Sequence, residues 1–198
     1  MDVANGIDHE VAALRAAGCT AQAATAGLRY YGPELLGFLQ SLEPSQATAD
    51  ELFSELCERI WRGLPEFRGD CSFRSWAYRI ARNLVVDRRR RDRMPWRRCL
   101  DADEVSAIER LAVHVRTTTP VYMRKDTKDR LDRIRRTLSV EEQALLILRV
   151  DRQLSWREVA EVLHDESEDP QAADRAVPRL RKRFERLKER IRAELVTA

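Results

Sequence analysis

Glycine and long apolar stretches are scarce in this chain, and each scarcity excludes a class of protein. Only seven of the 198 residues are glycine, and no long segment alternates apolar and polar residues as a strand does, so we expect an all-α protein. No apolar run reaches the roughly 18 residues that a transmembrane helix needs. Residues 1–27 lack a cationic start followed by an apolar core, so we expect no signal peptide and a cytoplasmic protein.

Cysteine is too sparse and too dispersed to suggest a metal site. Cys19, Cys57, Cys71 and Cys99 form no C-x-x-C pair, and no histidine stands at ligand spacing from them. The sequence also lacks a Gly-rich phosphate loop, an H-E-x-x-H motif and a nucleophile with a spaced base. We therefore expect no metal, no cofactor and no enzymatic activity.

Charge is distributed in blocks, although the net charge is only +3. Residues 1–67 carry a net charge of −6 and residues 99–174 a net charge of −5. Between and after them, residues 68–98 carry +8 and residues 175–192 carry +7. Two basic segments in an otherwise acidic chain indicate two separate contacts with a polyanion, and such binding should weaken steeply with salt.

The most informative segment is residues 67–91, FRGDCSFRSWAYRIARNLVVDRRRR. A short Gly-containing loop precedes an amphipathic helix that ends in arginines. Apolar residues recur along one predicted face: Phe73, Trp76, Ala77, Ile80, Ala81 and Leu84. Cationic and hydrogen-bonding residues fall mostly on the other: Arg74, Tyr78, Arg79, Arg82 and Asn83. Such a helix suits a nucleic-acid strand, and a merely solvated charged face is the alternative that this helix alone leaves open.

Hydrophobic periodicity and turn-forming residues divide the chain into four parts. Residues 1–24 are weakly patterned and indicate a frayed helix or a disordered N-terminal arm. Residues 25–94 predict a helical domain, whose second helix has the apolar stripe Leu52, Phe53, Leu56, Cys57, Ile60 and Trp61. Periodicity fades over residues 95–125, which we expect to be a flexible linker. Residues 126–198 predict a second helical domain.

The second domain carries the pattern of a helix-turn-helix. Ser139 with Glu142 and Ser155 with Glu158 each form an S-x-x-E capping box that starts a helix, and the helix after Ser155 is short. A polar turn follows, and the next helix is cationic at its front: Arg175, Arg179, Arg181 and Lys182. This pattern favours DNA reading by the second helix. A basic amphipathic helix that merely ends a bundle is the alternative.

Two strings of sequence resemble a known family. Residues 50–61, DELFSELCERIW, followed by LPEFRGDCSFRSWAYRIARNLVVDRRRR, resemble region 2 of sigma-70 family RNA polymerase sigma factors of the small extracytoplasmic-function type. Residues 138–163, LSVEEQALLILRVDRQLSWREVAEVL, with the later RLRKRFERL resemble region 4. The resemblance covers about 160 of the 198 residues in the family's order.

The resemblance implies a transcription initiation factor that binds core RNA polymerase, recognises the −35 and −10 promoter elements and promotes melting. An anti-sigma factor is a further expected partner. Contact with the −10 element falls on Phe67, Arg68, Asp70, Arg79, Arg82, Asn83, Arg88 and Arg89. Contact with the −35 element falls on Arg175, Arg179, Arg181 and Lys182. Polymerase binding falls on Asp50, Glu51, Glu55 and Glu58.

Two features depart from the family pattern. The turn at residues 164–174 is longer and more acidic than the family's short turn. Pro178 lies where the reading helix should already be running, and proline in a helix interior removes a hydrogen bond and kinks the helix. A stand-alone helix-turn-helix repressor or activator that binds duplex DNA is the main alternative function. A basic RNA-binding or architectural protein is a third.

Overall fold

The computed structural model describes residues 3–90, 102–118, 137–164 and 171–197. Every regular element within these ranges is helical and none is a strand. The all-α class expected from the composition is therefore confirmed. Among these described helices, none is both long and apolar enough to span a bilayer.

The helices group into two compact units, residues 1–125 and residues 126–198. The described helices of the first unit are α1 Val3–Ala16, α2 Thr20–Leu42, α3 Gln46–Gly63, α4 Phe73–Arg90 and α5 Ala102–Thr118. A short 3₁₀ turn, Leu64–Glu66, follows α3. Those of the second unit are α6 Val140–Leu146, α7 Trp156–Leu163 and α8 Ala172–Thr197, with a π-helical turn, Ile147–Asp151, after α6.

Helix α2 is the centre of the first unit, because α1, α3, α4 and α5 all pack against it. Its fully buried side chains include Leu28, Leu35 and Phe38. The stripe predicted on α3 is confirmed, except that Trp61 is only half-buried. Burial raises the pKa of the Cys57 thiol to about 12, so this cysteine serves as a small apolar residue.

Two glycines of α2 set how closely its neighbours approach. A Cβ atom on Gly27 would overlap the ring of Phe73 on α4. A Cβ atom on Gly32 would lie 2.9 Å from a methyl carbon of Val115 on α5. Both positions therefore require glycine, because only a residue without a Cβ atom lets an apolar group rest directly on the α2 backbone.

Helix α1 lies in a segment for which a frayed helix or a disordered arm was expected, and helix α5 lies in a segment expected to be a flexible linker. Helix α1 lies within residues 1–24, buries Val11 and packs on α2, so a disordered arm is wrong there. Helix α5 lies within the predicted linker and packs on α2 and α3. Its buried residues are Ile108, Leu111, Ala112 and Val115. These residues form an apolar stripe at helical spacing. The helix-breaking residues around Pro120 made this stripe hard to recognise in the sequence.

The unstructured linker is thus wrong for residues 102–118, because their apolar stripe is buried on the first unit. The remaining linker residues, 95–101 and 119–125, lie outside the described residues. The exact domain boundaries stay a prediction.

In the second unit, both predicted capping boxes are formed. Ser139 Oγ accepts from the Glu142 amide at 3.2 Å, and the Glu142 carboxylate accepts from the Ser139 amide at 2.9 Å. The Ser155 and Glu158 pair repeats this arrangement at 3.2 and 2.7 Å. Glu142 also pairs with Arg190 of α8 at 3.0 Å. These contacts, led by the hydrogen bond from Arg190, lower the pKa of Glu142 from 4.5 to about 2.

Helices α7 and α8 pack together, and the ring of Trp156 meets that of Phe184 edge-on with centroids 5.5 Å apart. Helix α8 begins at Ala172, so Pro178 lies in its interior rather than in its first turn. The missing N–H of Pro178 leaves the Asp174 carbonyl without its intrahelical donor. Residues 165–170 lie outside the described residues, and the helix-turn-helix therefore stays a prediction.

The substitution Gly27→Ala is expected to lower the free energy of unfolding by about 1–3 kcal/mol, because the added methyl displaces the Phe73 ring. Gly6→Ala is the matched control, since a Cβ atom there meets nothing within 4 Å and alanine is the better helix former. Urea unfolding followed by circular dichroism measures both. A Gly27→Ala variant as stable as the Gly6→Ala variant would contradict the close packing of α2 and α4.

The contribution of Glu142 to the free energy of unfolding should depend on pH. Its pKa is lowered on folding, so its contribution is present above pH 4.5 and is lost as the pH falls towards 2. Glu142→Gln should cost on the order of 1 kcal/mol at pH 7, given partial solvent screening, and the difference from wild type should vanish near pH 2. Glu185→Gln, on an exposed i,i+3 pair, should change little. Urea titrations across pH 2–7 that show a constant Glu142→Gln difference would refute this role.

Candidate nucleic-acid interface

Helix α4 begins where Ser72 provides its cap. Ser72 Oγ accepts from the Ser75 amide at 3.0 Å, which is the ordinary role of serine at a helix start. The predicted apolar face is buried against the unit, apart from the half-buried Ile80. Trp76 is 7% exposed, so it belongs to the core.

Tyr78 and Arg82 lie on the buried side of α4, and their prediction as solvent-facing residues is wrong. The Tyr78 hydroxyl donates to Glu34 Oε1 at 2.6 Å, and its ring meets Phe38 edge-on with centroids 5.0 Å apart. Arg82 is only 7% exposed. The buried arc is wide because α4 packs against both α2 and α3.

Asn83 is the half-buried neighbour of Arg82. Arg82 Nη1 donates to Asn83 Oδ1 at 2.9 Å. This bond orients the carboxamide of Asn83 and takes up one lone pair of its oxygen. Arg79, one turn earlier, is also half-buried.

Two arginines at the end of α4, Arg88 and Arg89, have partners within the same unit. Arg88 donates to Glu51 Oε2 on α3 at 3.3 Å and to Thr48 Oγ1 at 3.4 Å. Arg89 donates to the Leu42 carbonyl at the end of α2 at 2.8 Å. Both guanidinium groups remain substantially exposed, so a phosphate can still approach them.

The 67–72 loop projects its tip into solvent. The ring of Phe67 stacks on Trp76 with centroids 4.7 Å apart, which fixes the base of the loop on the core. Gly69 adopts a φ of +85°, a conformation that glycine accepts without strain. Beyond it, the side chains of Arg68 and Asp70 are 74% and 78% exposed and lie 3.7 Å apart.

Arg15 of α1 contacts this loop, and sequence reasoning did not single it out. Its Nε donates to the Leu64 carbonyl at 3.3 Å, and its Nη2 donates to the Phe67 carbonyl. Its guanidinium carbon also lies 4.8 Å from the centroid of the Phe67 ring. No local motif marks Arg15, because its partners lie about fifty residues away in sequence.

The acidic residues of α3 lie on its outer side, and most are paired. Glu55 accepts from Arg59 at 2.7 Å, and Arg62 lies 3.1 Å from Glu58. Glu51 is the most exposed of the predicted set, with 69% of its side chain accessible although Arg88 contacts it. Asp50 is half-buried, and its carbonyl accepts from Arg116 of α5.

In the second unit, the predicted cationic residues lie together on the N-terminal half of α8. All four, Arg175, Arg179, Arg181 and Lys182, are exposed. The guanidinium of Arg181 lies 5.8 Å from the Trp156 ring centroid, which links it to α7. Arg175 donates to Gln171 Oε1 at 3.4 Å. The structure therefore gathers these residues on one exposed stretch of helix.

Comparison with known proteins gives two matches. The family model described as Sigma-70 region 2 matches residues 28–94, which cover α2 from Leu28 onwards, α3, the 67–72 loop and α4. The chain is also similar to RNA polymerase sigma factor YlaC of Bacillus subtilis (strain 168). The two are 30% identical over 136 residues, which is 68% of this chain and 76% of that protein.

Proposed function

The chain belongs to the sigma-70 family of RNA polymerase sigma factors, and from this premise we propose that it directs core RNA polymerase to promoters and opens them at the −10 element. Sigma factors are initiation factors rather than enzymes, so we assign it no catalysis of its own. The observation that carries the proposal is the exposed tip of the 67–72 loop, which leads into α4, the helix that carries Asn83, within the part of the chain that matches region 2.

Opening requires a base to leave the stack, which costs a few kcal/mol that a selective pocket must offset. We assign the pocket wall to Arg68 and Asp70 at the exposed loop tip. Asn83 supplies a carboxamide, which can both donate to and accept from a base edge. Because Arg82 already donates to Asn83 Oδ1, it is a positioning residue for that amide rather than a phosphate contact.

We assign Phe67 a structural role in the loop rather than a contact with DNA. Its ring already contacts both Trp76 and Arg15, so it holds the loop rather than stacking on a base. Phosphate contacts fall to Arg79, Arg88 and Arg89. The guanidinium groups of the last two lie at the exposed end of α4.

Binding to the polymerase is assigned to the outer side of α3. Glu51, Glu55 and Glu58 lie one turn apart along it, with Asp50 beside them, and they pair with arginines of this chain at its surface. Surface ion pairs of this kind contribute little to stability. A cationic partner can therefore replace the intramolecular arginines at small cost, which suits a reversible protein contact.

Recognition of the −35 element is assigned to the second unit. Arg175, Arg179, Arg181 and Lys182 are long cationic side chains on one exposed helix stretch. Arginine binds guanine edges and phosphates through paired N–H groups. We place the protein in the cytoplasm with the polymerase, and an anti-sigma partner stays a prediction.

The experiment that tests the function is co-purification with bacterial core RNA polymerase, followed by run-off transcription on genomic fragments. Stable association with new start sites is the expected result. Sequence-specific duplex binding by the protein alone, without association with the polymerase, would replace this function with that of a stand-alone repressor or activator.

Asn83→Ala should leave binding to core polymerase unchanged and slow open-complex formation by about tenfold or more, because a carboxamide contact to a base contributes roughly 1–3 kcal/mol. Gln22→Ala is the control, since it removes an exposed amide from α2. Permanganate footprinting of the −10 region measures the opening rate. Equal opening rates for the two variants would remove Asn83 from the base pocket.

A further inference from the structure

We propose that α1 positions the promoter-opening loop by fixing both of its ends, and that α1 thereby sets selectivity at the −10 element. The inference rests on the function proposed above for the 67–72 loop. Helix α1, Val3–Ala16, precedes the residues that match region 2, which begin at residue 28. It therefore lies outside the residues that match region 2.

Arg15 fixes the start of the loop through three contacts. Its guanidinium donates to the carbonyls of Leu64 and Phe67 and lies against the Phe67 ring. A planar guanidinium can donate in its plane and stack through its face at the same time, which a lysine ammonium cannot do. Both carbonyls belong to backbone that leads directly into the exposed tip.

Asp8 lies at the end of the loop. Its carboxylate is beside the backbone amides of Phe73 and Arg74, the first residues of α4, and its Oδ2 accepts from the Tyr31 hydroxyl of α2 at 3.5 Å. A carboxylate at this position also complements the positive end of the helix. Burial raises the pKa of Asp8 above its ordinary value, and the nearby amides act against that rise.

The two contacts come from one side of one rigid element. Asp8 and Arg15 stand seven residues apart, which is two helical turns, so they lie on the same face of α1. Val11 lies between them on that face and is 1% exposed. The buried face holds α1 in place while its two charged residues hold the loop at either end.

This arrangement leaves only the tip of the loop to meet DNA. Arg68, Gly69 and Asp70 are exposed, whereas the residues on either side of them are tied to α1 and the core. A loop ordered in advance avoids the entropy loss of ordering on binding. It also presents a pocket of one shape, on which discrimination between bases depends.

The test compares Arg15→Ala and Arg15→Lys in the reconstituted holoenzyme, with Arg29→Ala as the control. Arg29 is an exposed arginine on α2. Opening rates are measured on the cognate promoter and on promoters with single substitutions in the −10 element. Arg15→Ala should slow opening about tenfold to a hundredfold, as expected from a small misplacement of a binding group. It should also reduce the ratio between cognate and substituted promoters.

The Arg15→Lys variant should recover part of that ratio, because it keeps the charge and a donor but loses the stacked plane. Affinity for core polymerase should not change, since none of these residues lies on α3. An Arg15→Ala holoenzyme with the wild-type ratio would overturn the proposal. Such a result would leave α1 as a packing element alone.

Amide hydrogen exchange in the protein without polymerase gives a second, independent measurement. Arg15→Ala should speed exchange over residues 67–72, and Asp8→Asn should speed it over residues 73–75, while residues 46–63 stay protected. Unchanged exchange in both variants would overturn the proposal whatever the polymerase does. Failure of the wild-type protein to bind polymerase, with exchange altered as expected, would instead remove the proposed function and the selectivity that rests on it, and leave the mechanical role of α1.

Discussion

The close contact between α2 and α4 is the constraint on which the rest of the first unit depends. The Phe73 ring rests on the backbone at Gly27, and from there it contacts Trp76, with ring centroids 5.9 Å apart. Trp76 in turn supports Phe67 and so the loop. A few turns along, Glu34 of α2 accepts from the Tyr78 hydroxyl. One apolar contact and one polar contact therefore fix both the position and the rotation of α4, and every proposed DNA contact on this helix follows from them.

The sequence correctly predicted the features that depend on interactions between residues close together in the chain. The stripe on α3 and the Ser139 and Ser155 capping boxes need only residues within one or two turns, and all were predicted from the sequence. The burial of Tyr78 and Arg82 depends on partners elsewhere, among them Glu34, which lies 44 residues before Tyr78. Hydrophobicity alone assigns both residues to the solvent face. Arg15 was missed for the same reason, since an arginine near a weakly patterned N-terminus carries no sign of a carbonyl that folding brings beside it.

In the folded chain, the charged segments of the sequence also have a structural role. The first basic segment and the acidic segment before it lie in one unit, where Arg88 meets Glu51 and Arg89 meets Glu43. Part of the basic charge that indicated DNA binding therefore holds helix ends together. In the second basic segment, Arg183 and Arg190 likewise pair with Glu141 and Glu142, whereas Arg175, Arg179, Arg181 and Lys182 are exposed. Each basic segment therefore contains cations that hold helices together and cations that remain at the surface, and salt should affect the contacts of the surface cations more directly.

The position of α1 has a consequence for how the chain acquires its structure during synthesis. Helix α1 leaves the ribosome before α2, α3 and α4, yet the carbonyls that Arg15 binds lie 49 and 52 residues later, and the amides beside Asp8 lie later still. Contacts so distant in sequence form only after the intervening chain has been made and its loop closed. Helix α1 therefore reaches its final place only after α4 has begun to form, and the loop acquires its ordered shape at that late point.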